Sequence, residues 1–173
     1  MMKKTLLTSV KFTVERRQYE HPTAGTVQRE LVVHPGAVLI LPLLDDETAV
    51  LIRNYRFSVG EELLELPAGT LESGESPIDC AARELEEETG HLAGRIEPLA
   101  DFYTSPGFTD ERMYCFIATE LKVTAQRLDR TEQIRVTPMK LTDALAATLD
   151  GRIIDGKTIA ALHLYQYRKA RHA

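Results

Sequence analysis

Three glutamates, Glu84, Glu87 and Glu88, stand three and four residues apart within the run Arg83-Glu84-Leu85-Glu86-Glu87-Glu88. On a helix, residues so spaced share a face and their side chains meet. Like charges there repel by about 0.2–0.5 kcal/mol per pair. A hard divalent cation reverses that sign, because Mg²⁺ takes oxygen ligands and is commonly shared between carboxylates and phosphate oxygens. The spacing therefore points to a metal face, with a solvated acidic face as the competing reading. Glu86 falls off this face and is predicted to point to solvent.

The element that carries these residues is well marked. Ser76 is a good N-cap, Pro77 suits the first helical position, and Asp79 places an acid in the first turn. Gly90 fits the position just past the helix end. These signals predict a helix from Pro77 to Thr89. At about 100° per residue, Ile78, Ala82, Leu85 and Thr89 form its predicted buried stripe.

The chain has 173 residues, which suits one domain with a small appendage. Its net charge of −5 argues against a nucleic-acid binder held by phosphate contacts. An acidic protein acting on a polyanion needs metal ions and a local set of arginines. Cys80 and Cys115 follow no metal spacing and read as reduced core thiols, in keeping with a cytoplasmic protein. No segment reads as a signal peptide, and none approaches the length of a membrane span.

Residues 6–20 alternate in part and read as one strand, with Val10, Phe12 and Val14 on one side. A turn at 21–25 leads to a second strand from Thr26 to Val33. Residues 1–34 thus form a small antiparallel sheet, set apart from a main domain at 35–173. The apolar run 37–44 is a central strand buried on both faces. Strands follow at 49–53, 61–66, 96–103, 112–120 and 134–138, with a polar loop at 122–133. Thr142 starts a helix that ends near Gly151, and Asp155 caps a last helix over about 157–170. The sum is an α/β fold with a mixed sheet and helices on both faces.

Read as G-x5-E-x7-R-E-U-x-E-E-x-G-U, where U is a bulky aliphatic residue, the chain supplies Gly69, Glu75, Arg83, Glu84, Leu85, Glu87, Glu88 and Gly90. This resembles the Nudix box, the signature of the Nudix hydrolases. Only His91 departs, where an aliphatic residue is usual, and a local packing change is expected there. The loop TSPGFTDE resembles the one that marks ADP-ribose pyrophosphatases, with Pro106 lying 15 positions past His91. LPAG before the box, the arginine of NYRF, the N-terminal sheet and GRIIDGKTIAAL also look like that group.

The resemblance implies an α/β/α sandwich and Mg²⁺-dependent hydrolysis, with Mn²⁺ as a possible substitute. ADP-ribose would yield AMP and ribose 5-phosphate. It carries Glu84, Glu87 and Glu88 over as metal ligands, with Ala68 lending its backbone carbonyl. Glu75 would brace loop and helix, and Arg83 would orient a glutamate. Gly69 and Gly90 keep their structural places in the box, and Gly69 and Pro106 border the substrate. Glu132 matches the usual place of the general base, with Glu111 as its rival. Arg56 and Arg29 read equally as solvated arginines or as phosphate forks. The resemblance further implies a homodimer in which the N-terminal sheet reaches the partner's site. Two other readings stand beside this one: a GDP-mannose-type hydrolase, and a non-catalytic domain that senses a nucleotide.

Overall fold

A computed structural model of the chain describes residues 2–172. Strands β1 (Lys3–Thr8), β2 (Thr13–His21) and β3 (Gly25–Val33) form a separate antiparallel sheet in the order β1-β2-β3. The single strand expected over residues 6–20 is in fact a hairpin. Its turn is closed by Ser9 N–H donating to Phe12 O at 2.9 Å. No glycine, proline, asparagine or aspartate lies at 9–12 to announce that turn. One ion pair crosses the hairpin, with Glu15 accepting from Lys3 Nζ at 3.3 Å, and Arg17 Nε on the same strand donates to Glu15 at 2.8 Å.

The main sheet has seven strands around β4 (Ala37–Asp45), and every residue of β4 from Ala37 to Leu43 is buried. β4 runs antiparallel to β5 (Thr48–Arg56) and parallel to β9 (Arg112–Val123). Outside these, β10 (Ile134–Lys140) pairs with β5, and β8 (His91–Tyr103) pairs with β9. Two short strands, β6 (Glu61–Glu65) and β7 (Ala68–Thr70), pair with β5 and β4. Strand alternation divides the core into two layers. Leu39, Leu41, Cys115 and Ile117 pack with helices α2 (Leu141–Asp150) and α3 (Gly156–His172). Val38, Ile40, Phe116 and Ala118 pack with helix α1 (Pro77–Thr89). Helices on both faces of a mixed sheet make this an α/β/α sandwich.

The N-terminal sheet joins the main body through β3. Val32 N–H donates to Phe108 O at 2.8 Å, and Asp110 N–H donates to Val32 O at 3.2 Å. His34 N–H donates to Asp110 Oδ1 at 2.8 Å.

Helix α1 begins and ends where the sequence places it. Ser76 Oγ accepts from Asp79 N–H at 3.3 Å, and Gly90 closes the helix at φ 67°. The rotation of the helix differs from expectation. Its buried residues are Cys80, Ala81, Leu85, Glu88 and Thr89, while Ile78 is 47% exposed and Ala82 is exposed. Small side chains at 80 and 81 let the helix lie close on Val38 and Ile40. Ala81, Leu85 and Glu88 then share one face at spacings of four and three. Hydrophobicity alone cannot select a face that contains a glutamate.

Candidate active site

β7, α1 and the loops around them enclose a cleft of about 1350 Å³. Ala68, Gly69, Glu84, Glu87 and Glu88 all line it. Arg83 is the organising residue. Its Nε and Nη2 hold both oxygens of Glu75, at 2.8 and 3.0 Å. Its Nη1 donates to Glu84 Oε1 at 2.7 Å and to Glu87 Oε2 at 3.0 Å. Glu75 also accepts from Glu72 N–H at 3.0 Å, so it braces the loop before the helix. The Arg83 guanidinium holds the Glu75 carboxyl down at about 2.

Glu88 is buried, with one backbone partner, Ala68 N–H, at 2.9 Å. Burial pushes its carboxyl up to about 8, against the pull of that N–H. Burial also raises Glu84, with Arg83 pulling the other way. Ala68, expected to contribute its carbonyl, meets Glu88 through its amide. Gly69 lets β7 approach the Glu84 carboxylate closely, since a Cβ there would lie 1.8 Å from Glu84 Cδ and displace that group.

A hard divalent cation fits this donor set. Glu88 has two oxygens and a single N–H partner, and a buried carboxylate left this short of partners is costly. Among the described residues, no three acidic, histidine or cysteine side chains converge as a finished metal cluster. Arg83 and the Ala68 amide are the partners that hold the three glutamates in this arrangement.

Both candidate bases line the cleft. The charge of Glu132 acts on Glu84 and on Glu88. Its Oε2 accepts from Asp129 N–H at 3.0 Å. Glu111 accepts from Thr104 Oγ1 at 2.5 Å and lies 3.8 Å from His34 Nε2. Arg56 lines the cleft, whereas Arg29 and Pro106 are exposed and not among the lining residues.

Several residues that sequence reasoning passed over belong to this region. Val10 and Lys11, exposed at the β1–β2 turn, border the open side of the cleft. Segment 124–127 is stitched to the carbonyl end of α1. Arg127 N–H donates to Glu87 O at 2.9 Å, and Gln126 Nε2 donates to Glu88 O at 2.6 Å. Glu86, expected to face solvent, accepts from Arg127 Nη2 at 2.6 Å. The cation that meets it comes from 41 residues along the chain, beyond the reach of helical periodicity. His91 starts β8 with its Nδ1 2.9 Å from Thr89 O. Cys80 and Cys115 are free and buried, and burial pushes both thiols up to about 12. They are core thiols without nucleophilic character.

The NUDIX domain model matches residues 33–162. The chain belongs to the Nudix family. It is 39% identical over 156 residues to an ADP-ribose pyrophosphatase of Bacillus subtilis (strain 168), covering 89% of this chain and 84% of that one. It is 33% identical over 165 residues to a GDP-mannose pyrophosphatase of Yersinia pestis (strain Pestoides F), covering 90% and 83%. A solved structure described as an ADP compounds hydrolase superposes with a TM-score of 0.86 at 25% identity, covering 100% of this chain and 94% of that one. The family match covers β7, α1 and the loops that follow them, and the chain is a Nudix hydrolase, of a family whose enzymes generally use a divalent metal ion. Among the described residues no helix is long and apolar enough to cross a membrane.

Proposed function

We propose that this Nudix enzyme hydrolyses the diphosphate of a nucleoside diphosphate sugar, ADP-ribose foremost, giving AMP and ribose 5-phosphate. The observation that carries this is Glu88, buried beside Glu84 on a cleft that also holds Arg56. Glu84, Glu87 and Glu88 would hold Mg²⁺, or Mn²⁺ in its place. When bound, the cation neutralises phosphate oxygens and lowers the pKa of a water. Arg83 orients Glu84 and Glu87, and Glu75 fixes Arg83. Arg56 takes a phosphate oxygen. Glu132 accepts the proton of the attacking water, a role supported by its place on the cleft that Glu84 and Glu88 line. Glu111, tied to Thr104, is the alternative base.

A GDP-mannose substrate is the second reading, favoured by the Yersinia relative. A panel of nucleoside diphosphate sugars, read by phosphate release after phosphatase treatment, tests both. We expect ADP-ribose to give the highest kcat/KM, EDTA to abolish turnover, and Mg²⁺ or Mn²⁺ to restore it. Full turnover in excess EDTA would refute the metal site.

We also propose a cytoplasmic homodimer, with residues 1–34 as the docking unit and 35–173 as the catalytic unit. All of β1 is exposed, and Leu7 and Val10 show apolar surface to solvent at 51% and 103%. Such a sheet leaves an open edge and an apolar patch that a second copy would cover. Light scattering that returns a monomer mass would overturn the dimer.

A further inference from the structure

A short turn, His34-Pro35-Gly36, carries the chain from β3 into β4, and Pro35 lines the cleft. Its backbone is tied on both sides. His34 N–H donates to Asp110 Oδ1 at 2.8 Å, and Gly36 O accepts from Leu71 N–H at 3.1 Å. The His34 ring is held as well, because Gly36 N–H donates to its Nδ1 at 3.1 Å. In the neutral ring the proton then sits on Nε2, which is left as a donor. The side chain is only 11% exposed, so packing holds its direction. Its Nε2 faces Glu111 Oε1 at 3.8 Å.

Glu111 stands just before β9 and lines the cleft. Its Oε2 accepts from Thr104 Oγ1 at 2.5 Å, which leaves Oε1 to meet substrate. A carboxylate held at one oxygen still swings about that bond, and a donor behind the other oxygen fixes its plane. A histidine that only braced the turn would account for the bond from Gly36. It would not account for a mostly buried Nε2–H aimed at the one oxygen of Glu111 that Thr104 leaves open. The 3.8 Å gap is longer than a formed hydrogen bond. Contacts in catalytic sites often stand long before substrate binds and tighten in the complex. The segment that carries Glu111 is bonded to β3 too, through Phe108 O and Asp110 N–H to Val32.

We infer that His34 is a positioning residue: its Nε2–H sets the Glu111 carboxylate on the cleft wall, and through it the N-terminal sheet fixes one side of the site. This rests on the hydrolase reading above. His34 touches no substrate and acts only through Glu111.

The experiment uses the full chain with His34→Asn, His34→Gln, Glu111→Ala and the double variant Glu111→Ala/His34→Asn. An asparagine side chain bonds the backbone N–H two residues on, so His34→Asn keeps the hold on Gly36 and lacks only the group at Nε2. His34→Gln carries an amide nitrogen out to that place. The readouts are kcat/KM for ADP-ribose with Mg²⁺ and the melting temperature. We expect His34→Asn to lower kcat/KM by about 10–100-fold, on the scale of a small misplacement at a site, with the melting temperature unchanged. We expect His34→Gln to recover most of that loss. In the Glu111→Ala background, His34→Asn should cost nothing more, the non-additivity of two residues that act as one unit. A merely structural histidine would cost the same in both backgrounds. Equal loss in the two backgrounds, no loss in either, or His34→Gln as impaired as His34→Asn would each overturn the inference. Nitrogen NMR of the wild-type ring in mildly alkaline buffer gives a readout independent of turnover. The proton is expected on Nε2, and a ring protonated on Nδ1 would overturn the inference. Wild-type protein that turns over no nucleoside diphosphate sugar, with the Nε2–H ring in place, would overturn the hydrolase reading instead.

Discussion

Gly69→Ala is the most direct probe of how closely β7 approaches α1. With the backbone kept as it is, the new Cβ would lie 1.8 Å from Glu84 Cδ and 1.9 Å from its Oε1. Carbon atoms in contact sit about 3.5–4.0 Å apart. The Glu84 carboxylate must therefore retreat by roughly 2 Å. That would stretch its 2.7 Å bond from Arg83 Nη1 beyond hydrogen-bonding range. The retreating group is the end of a flexible side chain, so the backbone has no reason to move. The stability loss is bounded by one charged hydrogen bond, about 1.5–3 kcal/mol. Activity is far more sensitive, because a misplacement of about 1 Å can cost about a hundredfold. We expect kcat to fall about 10²–10³-fold while the protein stays folded. Gly107→Ala is the control, since a Cβ there meets nothing within 4 Å. The assay is kcat for ADP-ribose together with the melting temperature of both variants. Gly69→Ala with kcat within threefold of wild type would refute the reasoning, as would an equal loss in Gly107→Ala.

Two further changes read the energetics of the site. Glu88→Gln should lower kcat by about 10³-fold or more, by analogy with the loss of a preorganised charged group. The same variant should melt no lower than wild type in EDTA, because it removes a costly buried carboxylate. A large drop in melting temperature would mean that Glu88 is a structural ion. Glu75 gives the acid dependence. Its folded pKa is depressed to about 2, so its contribution is complete above the ordinary carboxylate range and is lost as pH falls from there through about 2. Allowing for solvent screening, this is worth about 1–2 kcal/mol. Glu75→Gln should flatten the acid limb of the stability curve by that amount, and an unchanged limb in urea titrations would show that the Arg83 pair is not stabilising.

The box glutamates, the helix ends and the layered core were legible because each rests on local chemistry. Caps announce α1, and an uninterrupted apolar run announces β4. What stayed hidden depends on contacts distant in sequence. The face that α1 buries was misread because Ala81 and Cys80, rather than the bulkier Ile78, meet the sheet, and because a glutamate lies on that face. Glu86 could not be seen to pair with Arg127, and the β1–β2 turn carries only Ser9, a weak mark, with no glycine, proline, asparagine or aspartate. The buried Glu65 likewise left no local signal, since the Lys157 ammonium that donates to it at 2.8 Å is 92 residues further along the chain.

The stitching of segment 124–127 to α1 has a consequence for how this enzyme tolerates change. One end of the arc that carries Glu132 is rooted on the helix at Arg127, and the other enters β10 at Ile134. Insertions between those roots would leave both anchors intact. Lengthening such an arc is cheap, at about 0.6 kcal/mol for each doubling of its length. The reach of Glu132 over the cleft can therefore drift far while the fold barely registers it. Selection on activity, not on stability, must set the length of that loop.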